Sequence, residues 1–393
     1  PGAAFFELPL QKLAQEAGHK ILANTIASGF LVGLMALDVS FLEATLEQKF
    51  GHQDASLLEQ NLVAARIGWQ VGSQAAADRP PLFATAATGN RAERLFLNGH
   101  QAVGLGAIAG GCSFISSYPM SPSTGVLTFL AKQAREFGIV VEQAEDEISA
   151  INMGIGSWYA GGRAMVTTSG GGFALMTEGV SLAGIVESPM VIHIAQRPGP
   201  GTGLPTRTEQ GDLDLALYAG HGEFPRAIFA PGTLEDAVLC AALAFDMADA
   251  AQTPVFILTD QYLLDSYYDV AELPLPKKPP ASHIVETAAD YMRYSYCEDG
   301  VSPRGVPGFG QGIVRSDSDE HDEEGVITED ADVRIAMMDK RLGKFARLGG
   351  EHALPPRLYG AEEYSRLIVG WGSTCDTVIE ALAQVDDGQT AFL

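Results

Sequence analysis

Between Leu95 and Leu258, short apolar runs alternate with longer segments of helical spacing, and this alternation leaves the chain few possible folds. Residues 95–97, 112–116, 139–142, 164–168, 190–195, 227–230 and 254–258 read as strands. Helices are expected from His100, over 124–137, from Glu147, after the turn at Gly170–Gly172, and over 234–248. Apolar strands alternating with helices imply the α/β class, a parallel sheet covered by helices on both faces. In such sheets ligands sit outside the carboxyl ends of the strands.

The 393 residues exceed one ordinary domain. Residues 1–77 read as mostly helical: 24–37 is small and apolar, and Ser40-Phe-Leu-Glu43 and Ser56-Leu-Leu-Glu59 read as capping boxes. Leu57, Leu58, Val63, Ile67 and Val71 form an apolar stripe expected to face a core. A Pro- and Gly-containing polar link over 78–91 marks a boundary before the α/β segment, 92–272. The Pro-rich stretch at 273–280 opens an irregular acidic connector, 273–362, in which residues 317–332 carry nine carboxylates between Arg315 and Arg334. Asp317 and Asp319 have calcium-loop spacing, but Asp322 stands where glycine is required and Thr328 where the closing glutamate belongs. The acidic run therefore reads as a solvated loop. Residues 363–393 begin another α/β domain, with a strand at 367, a helix over 374–383 and a strand from Thr390. One and a half units cannot bury a sheet, so the polypeptide is expected to continue past Leu393. A start on Pro1 rather than Met similarly predicts a missing or processed beginning.

A formal charge of −24 argues against nucleic acid and anionic membrane as partners. The longest chargeless run, 95–130, is interrupted by Asn98, His100, Gln101, Pro119 and Pro122, and its apolar pieces fall short of a membrane span. Cys112, Cys240, Cys297 and Cys375 are scattered with no Cys-x-x-Cys, so neither a zinc ribbon nor an iron–sulfur site is read from the chain, and no metal-ligating residue is assigned. Free thiols fit a reducing, cytoplasmic setting.

The chemistry-bearing residues gather at the expected strand ends. Tyr118-Pro-Met-Ser-Pro-Ser-Thr124 is a proline-braced loop in which Ser121, Ser123 and Thr124 offer hydroxyls, and Ser123 also suits a helix cap. Glu145, Asp146 and Glu147 crowd one helix start, where negative charge is favoured and all three can serve as caps. Glu147 differs because Ile148, Ala150, Ile151 and Met153 follow, a pattern that buries its helix, and a partly desolvated carboxylate can share a proton with a ring nitrogen. Ser169-Gly170-Gly171-Gly172 permits either a tight turn or close backbone approach to a ligand. Arg197 and Arg207 flank a Gly/Pro loop, where a guanidinium fork suits a substrate carboxylate or pairs at the surface with Glu209 or Asp212.

At these residues the chain resembles the α subunit of 2-oxoacid:ferredoxin oxidoreductases. Tyr118 to Thr124 matches that family's Tyr-Pro-Ile-Thr-Pro-Ser-Ser loop, departing at Met120, Ser121 and Thr124; Glu147 with Ala150 matches its Glu-x-x-Ala; His193-Ile-Ala-Gln-Arg197 matches its arginine-bearing strand. The loop Gly-Leu-Pro-Thr-Arg-Thr-Glu-Gln-Gly-Asp-Leu at 203–213 is similar to the 2-oxoglutarate type. The resemblance implies a transketolase-like pyrimidine domain at 92–272, the end of a γ domain at 1–77 and the start of a transketolase C-terminal-like domain at 363–393. It implies thiamine diphosphate held through Tyr118, Pro119, Met120, Glu147, Ser169 and Gly170, with Glu147 catalytic at the pyrimidine ring. Ser121 and Arg197 are implied as 2-oxoacid contacts, and the second cation that a distal carboxylate needs is expected from Arg207, Arg163 or, equally, a residue of the β subunit. Gly211-Asp212 runs into Leu213, so the Gly-Asp-Gly…Asn anchor for Mg²⁺ and diphosphate is missing, as are cluster cysteines. The resemblance therefore implies a β subunit that supplies Mg²⁺ and a [4Fe-4S] cluster, ferredoxin as electron acceptor, coenzyme A as co-substrate, and an (αβ)₂ assembly. A non-catalytic α/β scaffold or nucleotide-binding subunit is the reading from another class.

Overall fold

The computed structural model describes residues 7–52, 54–77, 94–349, 354–385 and 387–393, and the chain divides into two units, residues 1–92 and 93–393. The expected link at 78–91 lies outside the described residues. In the first unit, α1 (Leu10–Glu16), α2 (Ala23–Leu34), α3 (Ser40–Phe50) and α4 (Ala55–Ala77) pack together. The α2–α4 contact is built on glycine. A Cβ on Gly68 would lie 2.1 Å from the Ile26 carbonyl oxygen, and one on Gly72 equally close to that of Phe30. Gly29 and Gly33 are as tightly covered by the Ala65 and Trp69 carbonyls. Small residues let two backbones touch, so the buried face of α4 runs through Asn61, Leu62, Ala64, Ala65, Gly68 and Gly72. The stripe expected from Leu57, Leu58, Val63, Ile67 and Val71 is only half-buried, flanking this contact. The two capping boxes are also corrected. Asp38 and Asp54, each two residues earlier, accept from the Ser40 and Ser56 amides at 2.8 Å, because a carboxylate on the preceding turn reaches the orphan amide first.

In the second unit, β1 (Leu95–Asn98) stands apart from the expected parallel sheet, pairing antiparallel with β8 (Tyr267–Val270). The remaining six expected strands do form one parallel sheet: β2 (Phe114–Ser117), β3 (Val140–Gln143), β4 (Ala164–Thr168), β5 (Met190–Gln196), β6 (Ala227–Phe229) and β7 (Pro254–Asp260), in the order β3-β2-β4-β5-β7-β6. Every residue of β4, β5 and β7 is buried, as uniformly apolar strands require. The connecting helices are α5 (Gly99–Ala109), α6 (Thr124–Phe137), α7 (Glu147–Tyr159), α8 (Gly170–Phe173), α9 (Thr177–Ile185), α10 (Leu213–Leu217), α11 (Leu234–Ala251) and α12 (Gln261–Asp265). The step β2→β3 and the step β3→β4 cross the sheet in opposite directions, so right-handed crossovers put α6 and α7 on opposite faces and open a crevice at the carboxyl ends of β2 and β4.

The connector is less irregular than its composition suggests, because α13 (Ala331–Gly343) crosses it. Nor is its acidic run merely solvated. Glu320 pairs with Arg334 and Arg341, and His321 is fully buried against the Tyr294 ring. A buried charge cluster fastens this segment to the turn after α9. Glu187 meets the ammonium groups of Lys340 and Lys344 at 2.6 Å each, and Arg293 donates to its carbonyl oxygen. At the end of the described chain, β9 (Tyr359–Gly360), β10 (Arg366–Ile368) and β11 (Thr390–Phe392) form a small sheet beside the helix Cys375–Val385. Among the described residues no helix is long and apolar enough to cross a membrane.

Candidate active site

The carboxyl ends of β2, β4, β5 and β7 and the first turn of α7 meet at one rim. Ser117 at the end of β2 donates to the Thr167 carbonyl oxygen of β4 at 2.6 Å, tying the two sides of the crevice together. The loop leaving β2 is then closed on itself by Ser123, whose hydroxyl donates to the Met120 carbonyl oxygen at 2.6 Å. Ser123 is therefore a loop brace and not a side-chain cap for α6. Tyr118 is 40% exposed, Pro119 and Met120 are half-buried, and Ser121 faces solvent.

Asp146, Glu145 and Glu147 divide their duties. Asp146 caps α7, accepting from the Ser149 amide at 2.7 Å. Glu145 is exposed. Glu147 is only 3% exposed, and its Oε1 has no hydrogen-bond partner among the described residues. A buried carboxylate oxygen left unsatisfied is costly unless something else fills the position. The expected apolar pattern is only partly buried: Ala150 and Ile151 are fully covered, whereas Ile148 and Met153 are exposed, at 51% and 38%. The glycine turn also covers Glu147 closely: a Cβ on Gly172 would lie 2.6 Å from Glu147 Oε1 and 2.3 Å from Thr168 Oγ1. Ser169, at the head of the same turn, is fully buried with an unpartnered hydroxyl.

From the other side, Arg197 Nη1 donates to the Ser121 carbonyl oxygen at 2.6 Å, so the end of β5 grips the Tyr118 loop. Arg207 is exposed, and among the described residues its guanidinium bonds to Thr206 of its own loop. Neither arginine forms an ion pair with Glu209 or Asp212 among the described residues. Arg163 is in the wrong place for a substrate contact. It precedes β4, at the amino end of the sheet, where it pairs with Asp246 and Asp249.

Several participants carried no sequence signal strong enough to single them out. Buried Gln196 accepts from the Asp212 amide at 3.0 Å and donates to the Thr259 carbonyl oxygen, which sets the Asp212 loop over Gly170. A Cβ on Gly170 would lie 2.2 Å from Asp212 Oδ1. Burial, and then the charge of Glu209, push the Asp212 carboxyl above its ordinary range, and its Oδ2 is unpartnered. His193 lies wholly inside the sheet, held by Thr167 at 2.7 Å and Thr259 at 2.8 Å. Burial, and then His100, depress it to about 3, so it is a neutral structural imidazole. Gln210 reaches across to the Trp371 carbonyl oxygen and Asp260, which also accepts from Ser373, so the start of the C-terminal segment abuts this rim.

The cradle thus contains an unsatisfied buried carboxylate oxygen, an unsatisfied buried hydroxyl and a glycine turn whose first and third members, Gly170 and Gly172, leave no space for a side chain. That donor and acceptor set fits a planar nitrogen heterocycle such as the aminopyrimidine of thiamine diphosphate. Among the described residues no group of three or more His, Cys, Asp or Glu is arranged to hold a metal ion. Cys112 and Cys240 are buried thiols pushed up to about 12 by burial.

Comparison with known proteins agrees with this geometry. The family model for the thiamine diphosphate-binding region of pyruvate flavodoxin/ferredoxin oxidoreductases matches residues 105–340, and the pyruvate ferredoxin/flavodoxin oxidoreductase model matches residues 1–71. Subunit alpha of 2-oxoacid:ferredoxin oxidoreductase 2 from Aeropyrum pernix is 33% identical over 98% of this chain and 64% of its own length. The 2-oxoglutarate synthase subunit KorA of Archaeoglobus fulgidus is 41% identical over 47% of this chain and 53% of its own. The solved 2-oxoglutarate:ferredoxin oxidoreductase from Magnetococcus marinus, with 2-oxoglutarate, coenzyme A and succinyl-CoA bound, superposes with a TM-score of 0.85 at 30% identity, covering all of this chain and 71% of that one. The chain spans under two thirds of the length of these curated relatives. By fold, rim geometry and sequence, this chain belongs to the 2-oxoacid:ferredoxin oxidoreductase family.

Proposed function

We propose that the chain is the α subunit of a 2-oxoglutarate:ferredoxin oxidoreductase and supplies the pyrimidine half of a thiamine diphosphate site shared with a β subunit. The observation that carries this reading is the unsatisfied, buried Oε1 of Glu147 at the sheet's switch-point crevice. Glu147 there would accept a hydrogen bond from the pyrimidine ring and so hold a proton at that nitrogen. Desolvation by Gly172 and Thr168 strengthens this contact. The bound cofactor supplies the electron sink for loss of CO₂ from a 2-oxoacid. Ser169, Gly170, Tyr118, Pro119 and Met120 would hold the ring.

Arg197, tethered to the Ser121 carbonyl, receives the 2-oxoacid carboxylate, and the Ser121 hydroxyl lies beside it. Arg207, on the same loop as Arg197 and likewise without a carboxylate partner among the described residues, suits the second carboxylate of a dicarboxylic substrate. The domain assignment follows: a γ-type end at 1–77, the pyrimidine domain at 92–272 and a transketolase C-terminal-like start at 363–393. Mg²⁺, the diphosphate contacts and a [4Fe-4S] cluster are assigned to the β subunit, with ferredoxin taking electrons, coenzyme A taking the acyl group as succinyl-CoA, and a cytoplasmic (αβ)₂ assembly.

Glu147→Gln in the assembled enzyme tests the site, since the amide cannot hold that proton. Turnover should fall by roughly 10²–10⁴-fold with assembly intact. Near-normal turnover would leave only the scaffold reading. Turnover of 2-oxoglutarate against 2-oxobutyrate tests the substrate, and a preference for the monoacid would reassign the enzyme to pyruvate or branched-chain 2-oxoacids.

A further inference from the structure

On the far side of α7 from its first turn lies a cavity of about 310 Å³ that the proposed reaction does not use. Asn152, Gly156, Tyr159 and Ser316 lie at its solvent-exposed edge. Deeper in, it is walled by Ile155, Trp158, Val186 and Pro189, with Ser188, Arg293, Tyr294 and Arg304 among its few polar members. Arg293 and Arg304 are 5% and 3% exposed, yet Nη1 of Arg293 and Nε of Arg304 have no hydrogen-bond partner. Guanidinium donors taken out of water and left unmade are rare in a finished core.

The charge balance behind this wall points the same way. Glu187, between the lining residues Val186 and Ser188, is one buried carboxylate facing three buried cations, Lys340, Lys344 and Arg293. Arg304 is already paired with Asp249 at 2.5 Å, so it adds nothing to the excess of positive charge. Burial depresses the Lys344 ammonium to about 8, with Glu187 opposing and Lys340 and Arg293 adding to the depression. Buried charge of one sign is stable only when paired.

We propose that this cavity is a second binding site, separate from the proposed thiamine rim, for an amphipathic organic anion: a carboxylate directed to Arg293 with an apolar tail against Ile155, Val186 and Trp158. A phosphate ion satisfies the charge but leaves the apolar wall wet, and a neutral alcohol satisfies the wall but not the guanidinium, so both halves of the ligand are needed. The site shares helix α7 with Glu147 but stands on its own observations, and it is read by binding rather than by turnover.

The test is calorimetric titration of octanoate into the assembled enzyme, with octanol and inorganic phosphate as controls. Saturable binding at one site per α chain, with a sub-millimolar Kd, is expected for a ligand of this size. Arg293→Met should weaken it at least roughly tenfold, by loss of a charge-assisted bond. Because Arg293 also braces Glu187, Gly156→Leu provides an independent variant. A Cβ at Gly156 meets nothing within 4 Å, so leucine projects into open space, favours the helix and obstructs the cavity mouth. Binding abolished in Gly156→Leu with an unchanged or raised Tm supports the site. No saturable octanoate binding, equal affinity for phosphate or octanol, or full binding in Gly156→Leu overturns it.

Discussion

The glycine turn at 170–172 offers a graded test of how Glu147 is positioned, because its three members differ in what a methyl group would meet. At Gly172 the added carbon would lie 2.6 Å from Glu147 Oε1 and 2.3 Å from Thr168 Oγ1. Carbon and oxygen rest at roughly 3.4 Å, so relief requires a displacement of about 0.8 Å. Thr168 is fully buried and branched at Cβ, which leaves the carboxylate as the more mobile of the two. A hydrogen bond of about 2.9 Å stretched by that amount passes the useful limit of about 3.2 Å. Losing one charge-assisted bond costs roughly 1.5–3 kcal/mol, or about 10- to 150-fold in rate. Gly171 is the internal control, since its Cβ would meet only the Gly201 carbonyl oxygen at 3.4 Å. Steady-state 2-oxoacid-dependent ferredoxin reduction by the assembled enzyme, with thermal melting alongside, should therefore rank Gly171→Ala near wild type and Gly172→Ala far below, both folded. Gly170→Ala, which crowds the side-chain end of Asp212 instead, should fall between them. Full activity in Gly172→Ala would refute the argument that this turn sets the carboxylate.

Three further outcomes are expected. Glu187 is pushed up by burial but more strongly held down, to about 2, by Lys344, Lys340 and Arg293; with a folded value below the ordinary 4.5, its contribution of about 3 kcal/mol is present above pH 4.5 and lost as pH falls toward 2. Glu187→Gln should remove that part of the acid dependence in denaturant melts and cost about 3–5 kcal/mol at pH 7, since three buried cations lose their counter-charge. Arg197→Met should raise KM for the 2-oxoacid and loosen the Tyr118 loop, whereas Arg207→Met should raise KM for 2-oxoglutarate but not for a monoacid; equal effects on both substrates would remove Arg207 from the distal carboxylate. In the first unit, Gly68→Ala places a carbon 2.1 Å from the Ile26 carbonyl oxygen and should lower the Tm of that unit, while Gly138→Ala on the surface, which meets nothing within 4 Å, should show only the modest penalty of its positive φ of 67°.

Much of the α/β architecture could be read from the residues because the physics behind it is local. Six of the strands, the start of α7 at Glu147 and the full extent of α6 follow from apolar runs, helical spacing and turn residues, each of which acts within a few positions along the chain. The same local logic put the Tyr118 loop, Glu147 and the glycine turn at strand ends. Where a local signal had a close competitor it misled: Asp38 and Asp54 took the caps from Ser40 and Ser56, and an apolar stripe on α4 yielded to a glycine and alanine face. Composition also hid the ion pairs of Glu320 and the helix inside an acidic connector.

By itself, then, the order of residues determined the fold class, the candidate loops and the absence of a Gly-Asp-Gly anchor, since each depends on neighbours in sequence. Only the tertiary structure decided which of three adjacent acids is buried and unsatisfied, that Arg163 belongs to the opposite end of the sheet while Arg197 grips the Tyr118 loop, and that Glu187 gathers three cations from 106 to 157 residues away. Desolvation and charge pairing act through space, between groups that the chain brings together only once the sheet has closed over them.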